Sequence, residues 1–364
     1  MKRIVFLLPF EGRVPVGGFK VVYEYANRLA ENESEVHIVY PVFNFVFREK
    51  ALHRFLRRCK GLFRYIFLKI SGLYHCDTWF SLNGKVREHL VWSLDEKHVP
   101  RSDIYIATAL KTSFYLAEYR SIPSARKYYL IQGYENWGDA THEEVIASYH
   151  FPLNKIVIAE WLEKVVRECG EDCTLIHNGF DFNYFSKNVA CGNKDKFCVT
   201  MLYHTSAGKG CQDGFEALDI VKGKYPQLKV NLFGVSPRPE NLPQWYHYYQ
   251  QPDRQTHNRI YNEAAVFLAP SHSEGFSLTP PEAMQCGCAV VCTDIGGYTV
   301  VCKDNRTALV CPVQRPDLLA EKIIYLIEND DERCRIAENG YRYIREFTWE
   351  RAYAKFIGTL NIDK

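Results

Sequence analysis

Residues 268–297 read LAPSHSEGFSLTPPEAMQCGCAVVCTDIGG. An apolar run ends at Ala269, and a polar loop carrying Glu274-Gly275-Phe276 follows. Pro280 and Pro281 then open a helix that contains Glu282, because proline suits a first helical turn, where its missing N–H has no partner to lose. Ala289–Cys292 is a second short apolar run. Strand, loop, helix and strand in this order form the repeating unit of a parallel sheet with helices on its faces.

The same alternation extends outward from this stretch. Val266–Ala269, Leu228–Phe233 and Phe197–Tyr203 read as strands, with a helix through Phe215–Val221. Downstream, Pro316 precedes Leu319, Ile323, Leu326 and Ile327 at helical spacing, and the tail from Asp331 is helical. HNGFDFNYFSKNVACGNKDK, residues 177–196, is rich in Gly, Asn and Lys and marks a linker. Before it, strands are expected at Ile4–Leu8, Val36–Tyr40, Asp103–Ala107, Tyr128–Gln132, Lys155–Ala159 and Leu175–His177. Gly17-Gly18 precedes a helix carrying Phe19, Val22, Ala26, Leu29 and Ala30. The chain has 364 residues, and about 150 residues per domain allows two to three. The expectation is an α/β chain of two doubly wound domains, 1–185 and 186–345, with a last helix over 346–364 packing back towards the first.

Composition narrows the class. Aromatics at 14% exclude a chain dominated by disorder. A net charge of +2 argues against nucleic acid as a partner. No stretch longer than 12 residues lacks Asp, Glu, Lys and Arg, whereas a spanning helix needs about 20 apolar residues. The apolar run after Lys2 and Arg3 meets Glu11 at once and reads as a first strand rather than a signal peptide. The 13 cysteines are scattered and form no CxxC pair, which points to reduced thiols and a cytoplasmic protein.

In open parallel sheets ligands sit beyond the carboxyl ends of the strands, so the loops there hold the candidate chemistry. Gly17 and Gly18 leave backbone amides at a helix start, which suits a phosphate, although a plain turn has the same residues. YHTSAGKG, 203–210, sets Lys209 between two glycines before a helix, where it is either a point charge for a diphosphate or a solvated lysine. Glu274 lies on a loop and Glu282 in a first helical turn, with the amides of Gly275, Phe276, Ser277, Leu278 and Thr279 between them. Carboxylates accept hydrogen bonds from sugar hydroxyls, and amides donate to phosphate.

These residues carry a resemblance. PSHSEGFSLTPPEAMQCGCAVVCTDIGG resembles the signature of retaining glycosyltransferases of family 4, which have the GT-B fold of two Rossmann-like domains facing a cleft. HNGFDFNYF, AGKG, VPVGGFKVVYEYANRLAENESEVHIVY and FTWERAYAKF resemble the same family's interdomain stretch, donor loop, first glycine loop and closing helix. The resemblance implies transfer of a sugar from a nucleotide sugar to an acceptor hydroxyl with retained configuration. It implies an acceptor-side first domain and a nucleotide-sugar-binding second one. Glu282 would hold the ribose, and Glu274 the donor sugar with the amides of Gly275 and Phe276. Lys209 and the amides near Leu278 and Thr279 would neutralise the diphosphate, which Gly17 and Gly18 would approach from the other domain. No metal and no cofactor is implied, the nucleotide sugar being a substrate, and no DxD pair is present.

Two positions depart from the family. His204 stands where an arginine is usual, so phosphate binding is weaker, another cation substitutes, or the diphosphate protonates His204. Gln132 stands where a histidine is frequent, so Gln132, with Tyr134 and Glu135, is a positioning residue for the acceptor. YLIQGYENW resembles a subset that includes rhamnosyltransferases of bacterial surface glycans.

Residues 46–75 carry eight Lys or Arg and one Glu, a local +7 that leaves −5 for the rest of the chain. Leu52, Phe55, Leu56, Cys59, Leu62, Phe63, Ile66, Phe67 and Ile70 fall at helical spacing, with Arg54, Arg57, Arg58 and Arg64 towards the polar side. This is the pattern of a basic insertion lying in the plane of an anionic membrane, or of a helix packing its apolar stripe on the first domain. The overall expectation is a peripheral, cytoplasmic-face enzyme using a glycan or lipid-linked acceptor in bacterial surface polysaccharide assembly. The competing readings are a sugar-nucleotide epimerase, a phosphorylase, and a non-catalytic sugar-nucleotide-binding partner protein.

Overall fold

The computed structural model describes residues 2–361 and divides them into two compact units. One runs to Asn178 and includes the chain from Glu350 onward; the other is Gly179–Trp349.

The first unit contains β1 (Arg3–Leu7), α1 (Gly17–Glu31), β2 (Glu35–Pro41), α2 (Ala51–Ser71), β3 (Arg87–Val91), β4 (Ile104–Ala107), α3 (Leu110–Ala117), β5 (Lys127–Ile131), α4 (His142–Tyr149), β6 (Asn154–Val157), α5 (Glu160–Glu168) and β7 (Cys173–Leu175). Its sheet has the order β3-β2-β1-β4-β5-β6-β7, and all six pairings are parallel. Strands β4 and β5 are buried throughout and β1 from Ile4 on, as a sheet covered on both faces requires.

The second unit repeats the plan with β8 (Asp195–Leu202), α6 (Cys211–Lys224), β9 (Lys229–Gly234), β10 (Tyr246–Gln250), α7 (Arg254–Glu263), β11 (Ala264–Ala269), α8 (Thr279–Gln285), β12 (Ala289–Thr293), α9 (Gly296–Thr299), β13 (Leu309–Cys311), α10 (Pro316–Glu328) and α11 (Asp330–Ile344). The order is β10-β9-β8-β11-β12-β13, again all parallel. In each sheet the chain walks outward over three strands and then restarts beside the first. The crevice at that reversal, between β1 and β4 or between β8 and β11, is where doubly wound sheets bind ligands. The final helix, α12 (Trp349–Thr359), sets Phe356 against the first unit's core, 4.0 Å from the Tyr25 ring and 6.4 Å from Phe6.

Three strands were not expected from the sequence: β3 (REHLV), β10 (YHYYQ) and β13 (LVC). All three are edge strands. Their outer flank meets water, so β3 and β10 carry charged and polar groups and give no continuous apolar run. The basic segment also needs correcting as an insertion. β2 and β3 pair directly in parallel, from His37↔Arg87 to Pro41↔Val91. A parallel pair requires a crossover, and α2 is that crossover.

Candidate functional site

The second unit's reversal point gathers two loops. After β8 the chain makes one tight helical turn, Ala207–Lys209, and enters α6 through Gly210 at φ 59°. A Cβ at Gly210 would stand 2.0 Å from the Pro270 carbonyl oxygen, so only glycine lets this turn lie against the loop after β11. The amides of His272 and Ser273 donate to the Gly208 carbonyl at 2.8 and 3.3 Å. The His272 ring reaches Asp213 in the first turn of α6 at 2.8 Å. The lysine loop and the glutamate loop are therefore laced together.

Their side chains meet. Lys209 Nζ donates to Glu274 Oε1 at 2.7 Å, and Ser271 Oγ donates to the same oxygen at 3.0 Å. The side chains are 29% and 12% exposed, so salt screens this pair less than one on the surface. Glu274 is held from behind by Gly297, where a Cβ would fall 2.5 Å from the Glu274 Cβ and carbonyl oxygen. Lys209, Ser271, Thr279 and Tyr298 line one small cavity.

Glu282 occupies the first turn of α8 and is 8% exposed. Tyr261 donates its hydroxyl to Glu282 Oε2 at 3.3 Å, and burial with this carboxylate beside it pushes the Tyr261 phenol far up. One expected phosphate donor is otherwise engaged, because the Ser277 amide donates to the Gly297 carbonyl at 3.3 Å. The Phe276 ring stacks on Phe180 at 5.9 Å. Leu278 stands just before Thr279 as the N-cap of α8 and has no side-chain cap.

His204 lies on the loop between β8 and Lys209. Its Nδ1 accepts from the Ser206 amide at 2.9 Å, and its own amide donates to Cys211 Sγ at 3.3 Å. Burial, then Lys209, lower its pKa below the ordinary histidine value against the pull of Glu274. Burial and Lys209 together therefore favour the neutral ring over the charged one.

In the first unit, α1 begins at Gly17 after Val16, which offers no side-chain cap. A Cβ on Gly18 would lie 3.2 Å from Gln132 Nε2, so the expected glycine and glutamine do come together. Gln132 Nε2 donates to the Thr108 carbonyl at 3.3 Å, and its Oε1 is buried with no partner among the described residues. The neighbours expected to act with it are engaged elsewhere. The Tyr134 hydroxyl bonds to His142 Nδ1 at the start of α4. Glu135 Oε2 accepts the first amide of α3, Leu110, at 3.0 Å. Burial pushes the Glu135 carboxyl up to about 7, and that amide only partly offsets it.

Helix α2 differs from both expected arrangements of its arginines. Its side towards the sheet carries Arg57, Gly61, Tyr65 and the buried Leu68. Arg57 chelates Glu49 at 2.7 and 2.8 Å and lies 4.3 Å over the Phe43 ring; Arg64 pairs with Glu11 in the loop after β1. Leu52, Phe55, Leu56, Leu62, Phe63, Ile66, Phe67 and Ile70 are all exposed, Phe63 at 77% and Ile70 at 83%. At 100° per residue they share an arc flanked by Lys60 on one side and Arg58 and Lys69 on the other. The apolar stripe does not pack on the first unit; Arg57 and Arg64 face it instead. No described helix is long and apolar enough to cross a membrane.

Several of these contacts involve residues that carried no role in the sequence: Ser271, Asp213 with His272, Tyr261 and Gly297. Ser271 stands three residues before Glu274, the one local hint. The others reach the site only through the fold.

Residues 187–343 match the family described as Glycosyl transferases group 1. The phosphatidyl-myo-inositol mannosyltransferase of Mycobacterium tuberculosis is 26% identical over 194 residues, 50% of this chain and 51% of that protein. The chain spans between 25% and 51% of the length of the first curated relatives it matches. Among solved structures, sucrose-phosphate synthase from Thermosynechococcus elongatus superposes with a TM-score of 0.72 at 15% identity, covering 100% of this chain and 99% of that one. HepE of Anabaena, solved with UDP-glucose, gives 0.71 at 16% identity, over 99% and 100%. The chain thus has the two-unit Rossmann-like fold of GT-B glycosyltransferases, and its second unit carries the match to the Glycosyl transferases group 1 domain.

Proposed function

We propose that this chain is a retaining glycosyltransferase of family 4 that moves a sugar from a nucleotide-sugar donor to a hydroxyl of a glycan or lipid-linked glycan. The observation that carries the reading is the Lys209–Glu274–Ser271 cluster at the second unit's reversal point. Donor binding exchanges partners within it. A diphosphate takes the ammonium of Lys209, and the released Glu274 accepts sugar hydroxyls. Glu282 holds the ribose, assisted by Tyr261. As the bond from the anomeric carbon to the leaving phosphate breaks, charge grows on that phosphate, and a fixed lysine stabilises it without reorganising. The acceptor oxygen bonds to the anomeric carbon on the same face, and its proton passes to the leaving phosphate. No protein base and no metal is needed for this route. In the first unit, Gln132 lies beside Gly18, where it positions the acceptor.

Helix α2 supports a membrane-side acceptor. Its exposed apolar arc, rimmed by Lys60, Arg58 and Lys69, fits an anionic bilayer surface. The mycobacterial relative acts, by its name, on a phosphatidylinositol. Assembly of a bacterial surface polysaccharide, with rhamnose as the transferred sugar, rests on the likeness of YLIQGYENW to rhamnosyltransferases of such glycans.

The test is turnover of a nucleotide-sugar panel, with UDP, GDP and dTDP donors including dTDP-rhamnose, with and without glycan acceptors. Acceptor-dependent release of nucleoside diphosphate, lost in Lys209→Ala, is expected. Consumption without acceptor would indicate an epimerase, a need for inorganic phosphate a phosphorylase, and binding without turnover a non-catalytic partner.

A further inference from the structure

Lys209 and the imidazole of His204 lie on one loop, and the imidazole's geometry determines where its proton sits. A backbone amide can only donate. The Ser206 N–H reaches His204 Nδ1 at 2.9 Å, so Nδ1 must present its lone pair and the proton of a neutral ring belongs on Nε2. Nε2 has no partner among the described residues. We propose that His204 serves the phosphate end of the site as a neutral, tautomer-locked donor, offering Nε2–H to a phosphate oxygen of a nucleoside diphosphate. This rests on the nucleotide-sugar reading above and adds the charge state and the atom.

The surroundings support it. Lys209, on the turn after β8, and Glu274, on the loop after β11, act on the charge of the ring, while Cys211 at the start of α6 accepts from the His204 backbone amide. Burial and Lys209 act against a second positive charge here, and Glu274 does not outweigh them. Adding a proton would require Nδ1–H to confront the Ser206 N–H, breaking the hydrogen bond that orients the ring. An arginine here would add charge at every pH; the locked imidazole adds direction and leaves the charge to Lys209.

The test uses the full chain with 15N-labelled histidines, with the His204 signals assigned from their loss in His204→Gln. At pH 7 the ring is expected to be protonated on Nε2 and bare on Nδ1. UDP or GDP should move the Nε2 signal and leave Nδ1 bare, and their Kd should stay flat from pH 6.5 to 8. Ser206→Pro removes the amide donor along with the hydroxyl, for which Ser206→Ala is the control, and φ −70° at Ser206 already suits proline. This variant should mix the tautomers and weaken UDP binding roughly threefold to tenfold, the effect of one hydrogen bond. An imidazolium or an Nδ1–H ring in the wild type at pH 7 overturns the proposal, whether or not the variant folds. Nucleotide binding that leaves the His204 signals unmoved overturns it too, with the donor reading intact. If neither nucleotide binds the wild type, the donor reading falls first and this role with it.

Discussion

The loop cluster of the second unit and helix α2 of the first present opposite chemistry. In the cluster, polar groups are satisfied internally: Lys209 by Glu274, Glu274 also by Ser271, Asp213 by His272, Glu282 by Tyr261. On α2, eight large apolar side chains face outward, and the arginines best placed to hold it are turned inward to Glu49 and Glu11. One surface is polar and closed on itself; the other is apolar and open. A ligand must displace protein partners to enter the first, which makes it selective. Anything apolar can cover the second, and the charge beside it is the rim of Lys60, Arg58 and Lys69.

The hardest test of this contrast is to break the cluster. Lys209→Ala and Glu274→Ala should each lower transfer by about 10²–10³-fold, the scale for removing one preorganised electrostatic partner. Their melting temperatures should stay near wild type; equal turnover in all three proteins would refute the assignment. Next comes α2. Phe63→Glu with Ile70→Glu should weaken binding to phosphatidylglycerol-containing vesicles at least tenfold, because burying each apolar side chain contributes about 1.5–3 kcal/mol. Turnover of a water-soluble acceptor should be unchanged, which separates the surfaces, and vesicle binding that survives the double variant would exclude α2 as the contact. Cys59, exposed on the apolar arc, offers a fluorophore site for following insertion.

A smaller effect is expected at Glu135. Its folded pKa of about 7 stands above the unfolded carboxyl value, so the folded state holds the proton more tightly. Stability should be greatest below about pH 4.5 as far as this group is concerned and fall as pH rises through 7. Glu135→Gln keeps an acceptor for the Leu110 amide and cannot ionise. Thermal unfolding of this variant should lose that pH dependence, and an unchanged pH slope would show that Glu135 does not titrate there. The smallest change is expected for Ser271→Ala. It removes one hydrogen bond to Glu274 and should cost about threefold to tenfold in kcat/KM, with little change in stability.

The parts legible in the sequence follow the same division. Central strands such as β4 and β11 are apolar from end to end and announce a buried parallel sheet. The edge strands β3 and β10 face water and have no such run. The glutamates at 274 and 282 are visible because loop and helix are local. The Lys209–Glu274 pair joins residues 65 positions apart, brought together by the packing of Gly210 on Pro270 and the hydrogen bonds of His272 and Ser273 to Gly208. For α2 the spacing reveals two faces but not which one meets the sheet. That choice is made by Glu49, Glu11 and Trp92, residues outside the helix.

Because α2 is the crossover between two adjacent strands, its outward face requires no additional chain. A tail or an inserted module could be trimmed away and the enzyme left whole. Here removal would take out the helical part of the connection between β2 and β3. Substitution can repaint the face for another surface, or for none, while deletion must also rebuild the connection between two paired strands. The exposed arc and the crossover are one helix, so a change made to either bears on both.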